Sequence, residues 1–437
     1  MSEFSFNFEW EDPQGAKGPE LRATWARLSI MIADTPITRL SDVRNKSIRD
    51  SIYVPLYPLA EWIATHWWSL LNECEAPGLG RQETYALRHN LMGAREGFAL
   101  PNLEFCPLGQ RILLKWRAAL IPEKRVRFIE GGTAYVDPFD LKQAFSSFVN
   151  AVVSRLENEG LHNTVLQEEW QSINQADKDE EMFCVAAGSL GVDPYAADNM
   201  EKEAILVADR TVPPELIDEF LAIGDVRHLT DQASYLHDIV ERQGRSDGIL
   251  MPLIDLRAKM HQRIHQDEPW EEGYDFARAL RAELGLNGKA IASLDEMDRV
   301  FRLDHGSFNG VTNVGSPNRS FFDGLMVTNT RESPSFTIQK KGEKSQRFTL
   351  CRSLFEYMTV SGQTSALVSC AHSDRQKRNR AFAAEFLAPS EVLRTKISGR
   401  RVTEEETEEL AEEFGVSPYV ISHQIENHGI ADPIDFS

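Results

Sequence analysis

The period of the hydrophobic pattern changes along this chain, and the change excludes an all-helical or all-strand fold. In Arg22–Ile32 (RATWARLSIMI) and Ser51–Tyr57, apolar residues alternate with polar ones, the two-residue period of a half-buried strand. In Leu59–Asn72 (LAEWIATHWWSLLN) they recur at helical spacing, and Trp62, Trp67 and Trp68 demand a large core. Arg111–Trp116 and Val126–Ile129 read as further strands, with a turn at Gly131–Gly132. From Pro138 to His265 the pattern is helical, clearest over Phe139–Leu156, Val165–Ile173 and Met182–Leu190, with a loop around Gln243–Gly248. Gly273–Leu284 (GYDFARALRAEL) starts a fresh amphipathic helix.

A chain of 437 residues is too long for one ordinary core. The expectation is an α+β multidomain protein with a mixed α/β domain over 1–150, a helical domain over 151–265 and a third domain over 266–437. The third is mostly helical with a small sheet. His66 lies among the tryptophans and His89 follows in Arg88-His89-Asn90. A core packed around a hydrogen-bonded histidine is preferred there over an aromatic partner pocket.

Net charge is −20, which argues against a protein that coats nucleic acid without regard to sequence. Locally the balance reverses. Between Gln339 and Arg401 lie Lys340, Lys344, Arg347, Arg352, Arg375, Lys377, Arg378 and Arg380 among other cations, and an acidic run from Glu404 to Glu413 follows at once. The five cysteines form no CxxC pair, which points to reduced thiols. The N-terminus lacks a basic-then-apolar leader, and no apolar stretch is long enough to span a membrane. The expectation is a soluble, cytoplasmic protein with no membrane partner.

One segment echoes another. AAGSLGVDPYAADNM at Ala186–Met200 resembles AEEFGVSPYVISHQI at Ala411–Ile425. Each reads as helix, glycine turn and new helix, capped by Asp193 or Ser417 with Pro194 or Pro418 in first place. Such corners fit a helix-turn-helix but also occur in plain bundles, and the plain reading is preferred for each copy.

Several blocks, in order, carry a resemblance: GYDFARALRAELGL at Gly273–Leu286, SFFDGLMVTN at Ser320–Asn329, SFTIQKKGEKSQRFTL at Ser335–Leu350, RFTLCRSLFEYM at Arg347–Met358, FAAEFLAP at Phe382–Pro389 and ELAEEFGVSPYVISHQIENHGI at Glu409–Ile430. Together they resemble the ImmA/IrrE family of zinc metallopeptidases over roughly residues 270 to 430. Residues 1 to 265 carry no such likeness. The resemblance implies a helix bearing HExxH, whose histidines share a helix face and bind zinc while the glutamate activates water. Arg352 then stands at the first histidine, Ser353 at the glutamate and Glu356 at the second histidine. The third ligand falls on Arg378, and Glu385 matches a position that is not a ligand. Arginine offers no lone pair and serine is no base at neutral pH, so no catalytic residue, metal or cofactor is expected. Arg352 and Glu356 at i, i+4, with Arg378 approaching, read as a plug of the vacated cleft in preference to an anion or peptide-carboxylate pocket.

His261-Gln262-Arg263-Ile264-His265 has zinc-ligand spacing, but it lies before the resembling region and has no evident third ligand. No GxSxG, GxxxxGK[ST] or GxGxxG motif is present, and Asp304-His305-Gly306-Ser307 reads as a loop. The leading expectation is a catalytically inactive regulatory or scaffold protein that binds a protein partner. Relatives of this type recur in bacterial stress responses, mobile elements, toxin–antitoxin pairs and phage defence. One alternative is a DNA-binding regulator using Ser417, Tyr419, Ser422 and Gln424. Another is a zinc peptidase with the unusual ligands His261, His265 and Glu356.

Overall fold

The computed structural model describes residues 3–13, 15–42, 45–77, 82–118, 126–245, 250–260, 268–286, 288–308, 321–360, 362, 364–397, 399 and 401–432. The chain is mixed α and β, as expected. It divides into two compact units where three domains were expected. One comprises Met1–Leu206 with Asp225–Arg227; the other comprises Val207–Gly224 with His228–Ser437.

In the first unit, β1 (Phe4–Trp10) and β2 (Trp25–Ile32) pair antiparallel, and β3 (Thr35–Pro36) and β6 (Ile52–Pro55) also pair with β2. A second sheet orders β10 (Gly132–Val136), β8 (Ile112–Arg117) and β7 (Asn102–Pro107). A third orders β5 (Ser47–Arg49), β4 (Leu40–Asp42) and β9 (Val126–Phe128). The helix Pro138–Asn158 buries Phe145, Phe148 and Val152 against these strands in the same core that takes Trp67 and Trp170. Long apolar helices cannot form a separate domain when their stripe is already committed to a sheet, and this moves the boundary from 150 to about 206.

Local details depart from the pattern. The strand expected from Arg22 begins at Trp25, because Pro19–Ala23 is a short helix. Leu59–Asn72 is two helices, Tyr57–Thr65 and Trp67–Asn72, broken at His66, whose Nδ1 lies 2.9 Å from the Trp62 carbonyl. His89 is fully buried, with Nδ1 2.8 Å from the Phe105 carbonyl and Nε2 3.1 Å from Glu73, the hydrogen-bonded core histidine that was preferred. The loop expected at Gln243 is helical to Gly244.

In the second unit an antiparallel sheet orders β12 (Pro334–Ile338), β11 (Gly324–Thr328) and β13 (Ser365–Val368). The helix Glu343–Thr359 packs on this sheet and on the helix Asp374–Leu387. The helix Pro269–Glu283 crosses Asp374–Leu387 so closely that a methyl group on Gly273 would fall 2.3 Å from the Arg378 carbonyl oxygen. Glu404–Phe414 ends at Gly415, which has φ +61°, and Pro418–Asn427 follows.

Candidate functional site

The helix Glu343–Thr359 is buried on nearly every side, yet it carries Arg347, Arg352, Ser353 and Glu356, each at most 4% exposed. Charged side chains enter a core only when other groups replace the hydrogen bonds of water. Arg352 Nε donates to Asn379 Oδ1 at 2.8 Å and Nη1 to Asp323 Oδ2 at 3.1 Å. Its Nη2 donates to the Ser369 carbonyl and to Gln376 Oε1, both at 2.6 Å. Glu356 sits one turn on. Its Oε1 accepts from Asn379 Nδ2 at 3.0 Å and its Oε2 from Arg375 Nε at 3.1 Å. Asn379 therefore bridges the two charged groups through its two amide atoms.

A second layer closes behind them. Gln376 Nε2 donates to Glu219 Oε1 at 2.7 Å, and Ser369 Oγ donates to the same oxygen at 2.5 Å. Glu219 comes from the short helix Ile217–Ile223, far upstream in sequence but in the same unit. Burial raises the pKa of Glu219, against the opposing pull of Arg375. Burial also pushes Arg352 down to about 10, with Arg380 adding to the effect and Asp323 resisting it. Arg352 remains a cation at neutral pH.

This set of donors does not fit a zinc ion. The Arg352 guanidinium has only N–H groups and all three of its nitrogens are engaged. Both Glu356 oxygens are already accepting. Ser353 Oγ donates to the Thr349 carbonyl at 3.1 Å beneath Gly324, where a methyl group would fall 3.0 Å from that oxygen. Arg378, expected at the third position, does not join them: its Nη1 pairs with Glu272 at 3.1 Å, while Gln376 and Asn379 take the places facing Arg352 and Glu356. The sequence carried that signal, since residues three apart share a helix face. Nothing in the sequence pointed to Glu219.

Glu385 is also buried, in a different role. Arg278 Nε, Ser390 Oγ and Gln424 Nε2 bond it at 3.0, 3.0 and 2.8 Å, and His428 Nε2 lies 3.4 Å away. Burial alone would raise its pKa, but His428, Arg278, Gln424 and Ser390 outweigh it and bring it to about 2.

Beside the Arg352 network opens a cleft of about 1030 Å³. Six cations line it, Arg278, Lys340, Lys344, Arg352, Lys377 and Arg380, against three carboxylates, Glu271, Asp275 and Asp323. Trp270, Tyr274, Phe348, Val416 and Val420 supply apolar wall. Ser417 and Tyr419 line the cleft too, and Tyr419 is 72% exposed. Gln424 reaches it from a buried position tied to Glu385 and the Ala388 carbonyl, and Ser422 Oγ bonds its own helix at the Pro418 carbonyl. The four residues of the DNA-contact expectation therefore do not form one outward face.

His261 and His265 lie outside the described residues. Among the described residues, Asp295, Asp298 and His305 come together, but Asp298 is spent bracing the loop: its oxygens accept from the backbone N–H groups of Gly306 and Phe308 at 2.8 and 3.0 Å.

In this region a small antiparallel sheet packs on a buried helix whose Arg352 and Glu356 are turned toward the helix Asp374–Leu387. The family model described as Peptidase_M78, the IrrE N-terminal-like domain, matches residues 339–426, so the C-terminal region of this chain carries an ImmA/IrrE-like domain. No curated protein and no solved structure matches the chain.

Proposed function

We propose that this protein is a catalytically inactive ImmA/IrrE-like regulator or scaffold that works by holding a protein partner. The observation that carries the reading is the closed network of Arg352, Asn379, Glu356 and Gln376, in which a positive side chain stands where the family resemblance implies a metal ligand. A divalent ion would meet a cation and a carboxylate already committed elsewhere, and water would meet no general base. The adjoining cleft is large enough to hold a peptide segment, so recognition can persist without cleavage. Such a domain suits a bacterial stress, mobile-element, toxin–antitoxin or phage-defence system, where binding alone can switch a partner.

The test is metal content and hydrolysis on untagged protein prepared without chelator. Zinc far below one per chain and no cleavage of a casein-type substrate are expected. Stoichiometric zinc with cleavage would overturn the proposal and redirect attention to His261, His265 and Glu356.

A further inference from the structure

We infer that the cleft beside Arg352 binds an acidic, extended peptide segment with interspersed apolar side chains, contributed by a partner protein. The inference deepens the noncatalytic reading and rests on it. In a chain of net charge −20, the lining of this cleft holds six cations and three carboxylates. The pairing inside it is uneven. Asp323 is shared by Arg352 at 3.1 Å and Lys340 at 2.5 Å, Arg278 is held by Glu385 and Asp275, Lys344 pairs with Glu412 at 2.5 Å, and Lys377 lies 3.9 Å from Asp374. Arg380 has no carboxylate within ion-pair distance among the described residues. Its Nη2 donates only to the carbonyls of Ser369 and Ala371, at 3.1 and 3.0 Å. A half-buried guanidinium satisfied by neutral acceptors alone has charge left to offer an anion.

Two other features point the same way. The helix Pro418–Asn427 begins at the cleft, where Ser417 makes no side-chain capping bond, so the positive end of the helix faces the same space. Trp270, Tyr274, Phe348 and the exposed ring of Tyr419 give apolar side chains somewhere to lie. The cleft, at about 1030 Å³, lies at the upper end of the roughly 300–1,000 Å³ usual for small-molecule pockets and has far more room than a small anion fills. Charge density decides against duplex DNA, which carries one negative charge per roughly 1.7 Å and would meet the acidic helix Glu404–Phe414 nearby. A peptide spaces its carboxylates more widely and brings apolar groups between them.

The probe is a fluorescein-labelled peptide of about twelve residues alternating glutamate with leucine, which spans roughly 40 Å when extended. It is titrated into the full-length protein at low and moderate salt, with the lysine-for-glutamate peptide, inorganic phosphate and a single-stranded oligonucleotide as competitors. Binding that weakens with salt, and at least tenfold in Lys377→Glu or Tyr419→Ala, is expected. Both variants change the rim of the cleft, and a thermal melt of each checks that the fold is intact. No binding at low salt, equal binding of the lysine peptide, displacement by the oligonucleotide in preference to unlabelled acidic peptide, or no loss in either variant would overturn the inference. The two proposals fail separately: a peptide that binds and is cut, with zinc present, sinks the noncatalytic reading and leaves the cleft's preference standing. An intact peptide that never binds sinks the cleft assignment alone.

Discussion

At the scale of single residues, the domain keeps two buried charged centres of opposite design. Around Arg352 the cation is held by an amide, a carboxylate and a carbonyl, which spreads the cost of burying it over several partners. Around Glu385 an anion is held by donors from three separate segments. The Glu385 carboxyl has its pKa lowered from 4.5 to about 2, so the folded state favours the charged form. Its contribution is therefore present above the ordinary carboxylate range and is lost as pH falls through it toward 2. A displacement of this size corresponds to about 3 kcal/mol at neutral pH, as one pKa unit is about 1.4 kcal/mol. Glu385→Gln should lower unfolding stability by up to that amount at pH 7 and by about half as much or less at pH 3. Denaturant unfolding of both proteins at the two pH values makes the comparison. A gap of equal size at both would show that the carboxylate's charge is not what is lost. Glu385 of the FAAE block thus ties helices together, whereas the polar groups around Arg352 satisfy one another inside the core.

At the scale of elements, close approach and backbone conformation put different demands on glycine. Gly273 lies inside a helix, and a methyl group there would strike the Arg378 carbonyl oxygen and, at 2.9 Å, the Phe382 nitrogen. Gly285 has φ +67° and open space around its would-be side chain. Gly273→Ala must push two helices apart and should cost about 2–3 kcal/mol, with a loss of the cleft wall that Tyr274 and Arg278 provide. Gly285→Ala meets only the left-handed backbone penalty, about 1 kcal/mol. Thermal unfolding of the two variants should rank them in that order, and the reverse order would mean that the helix crossing is soft. The sequence disclosed the long elements because the apolar period survives in them: Pro138–Asn158, Val165–Gln175 and the sheet-and-helix blocks of the C-terminal region were legible. It misled where one local motif met two different surroundings. After Ser417 the helix has Ile421 and Ile425 to bury, and it forms at Pro418 as expected. After Asp193 the chain runs on through Ala196, Ala197 and Asp198 with no such pair. There Asp193 braces Tyr195 in a turn, and the next helix waits until Asn199, capped by Asp198. That Arg352 and Glu356 share a helix face was legible from spacing, but the ion pair expected between them is replaced by pairs with Asp323 and Arg375, and the bridge through Asn379 and the backing by Glu219 are tertiary contacts that no local pattern carries.

At the scale of the whole molecule, the question is what becomes of the basic stretch between Gln339 and Arg401. Had it formed an outward patch, it would have been the footprint of a nucleic-acid-binding surface. Much of it is instead spent within the second unit. Arg347 is buried against the carbonyls of Ala292 and Gly415, Arg352 is enclosed, and Arg375 and Arg378 answer Glu356 and Glu272. Lys344 and Lys396 pair with Glu412 and Glu413 of the acidic helix, which carries seven glutamates and directly precedes the helix proposed to enter a groove. Many of these cations already have carboxylate partners and the chain carries a net charge of −20, so a duplex would meet little unpaired positive charge. Duplex DNA should therefore bind weakly even at low salt, with little of the steep salt dependence that follows from release of counterions. Fluorescence anisotropy with a mixed-sequence duplex across a salt series measures this. Tight binding whose logarithm falls steeply with the logarithm of salt would mean that the phosphate-facing surface is built from cations other than those enclosed around Arg352.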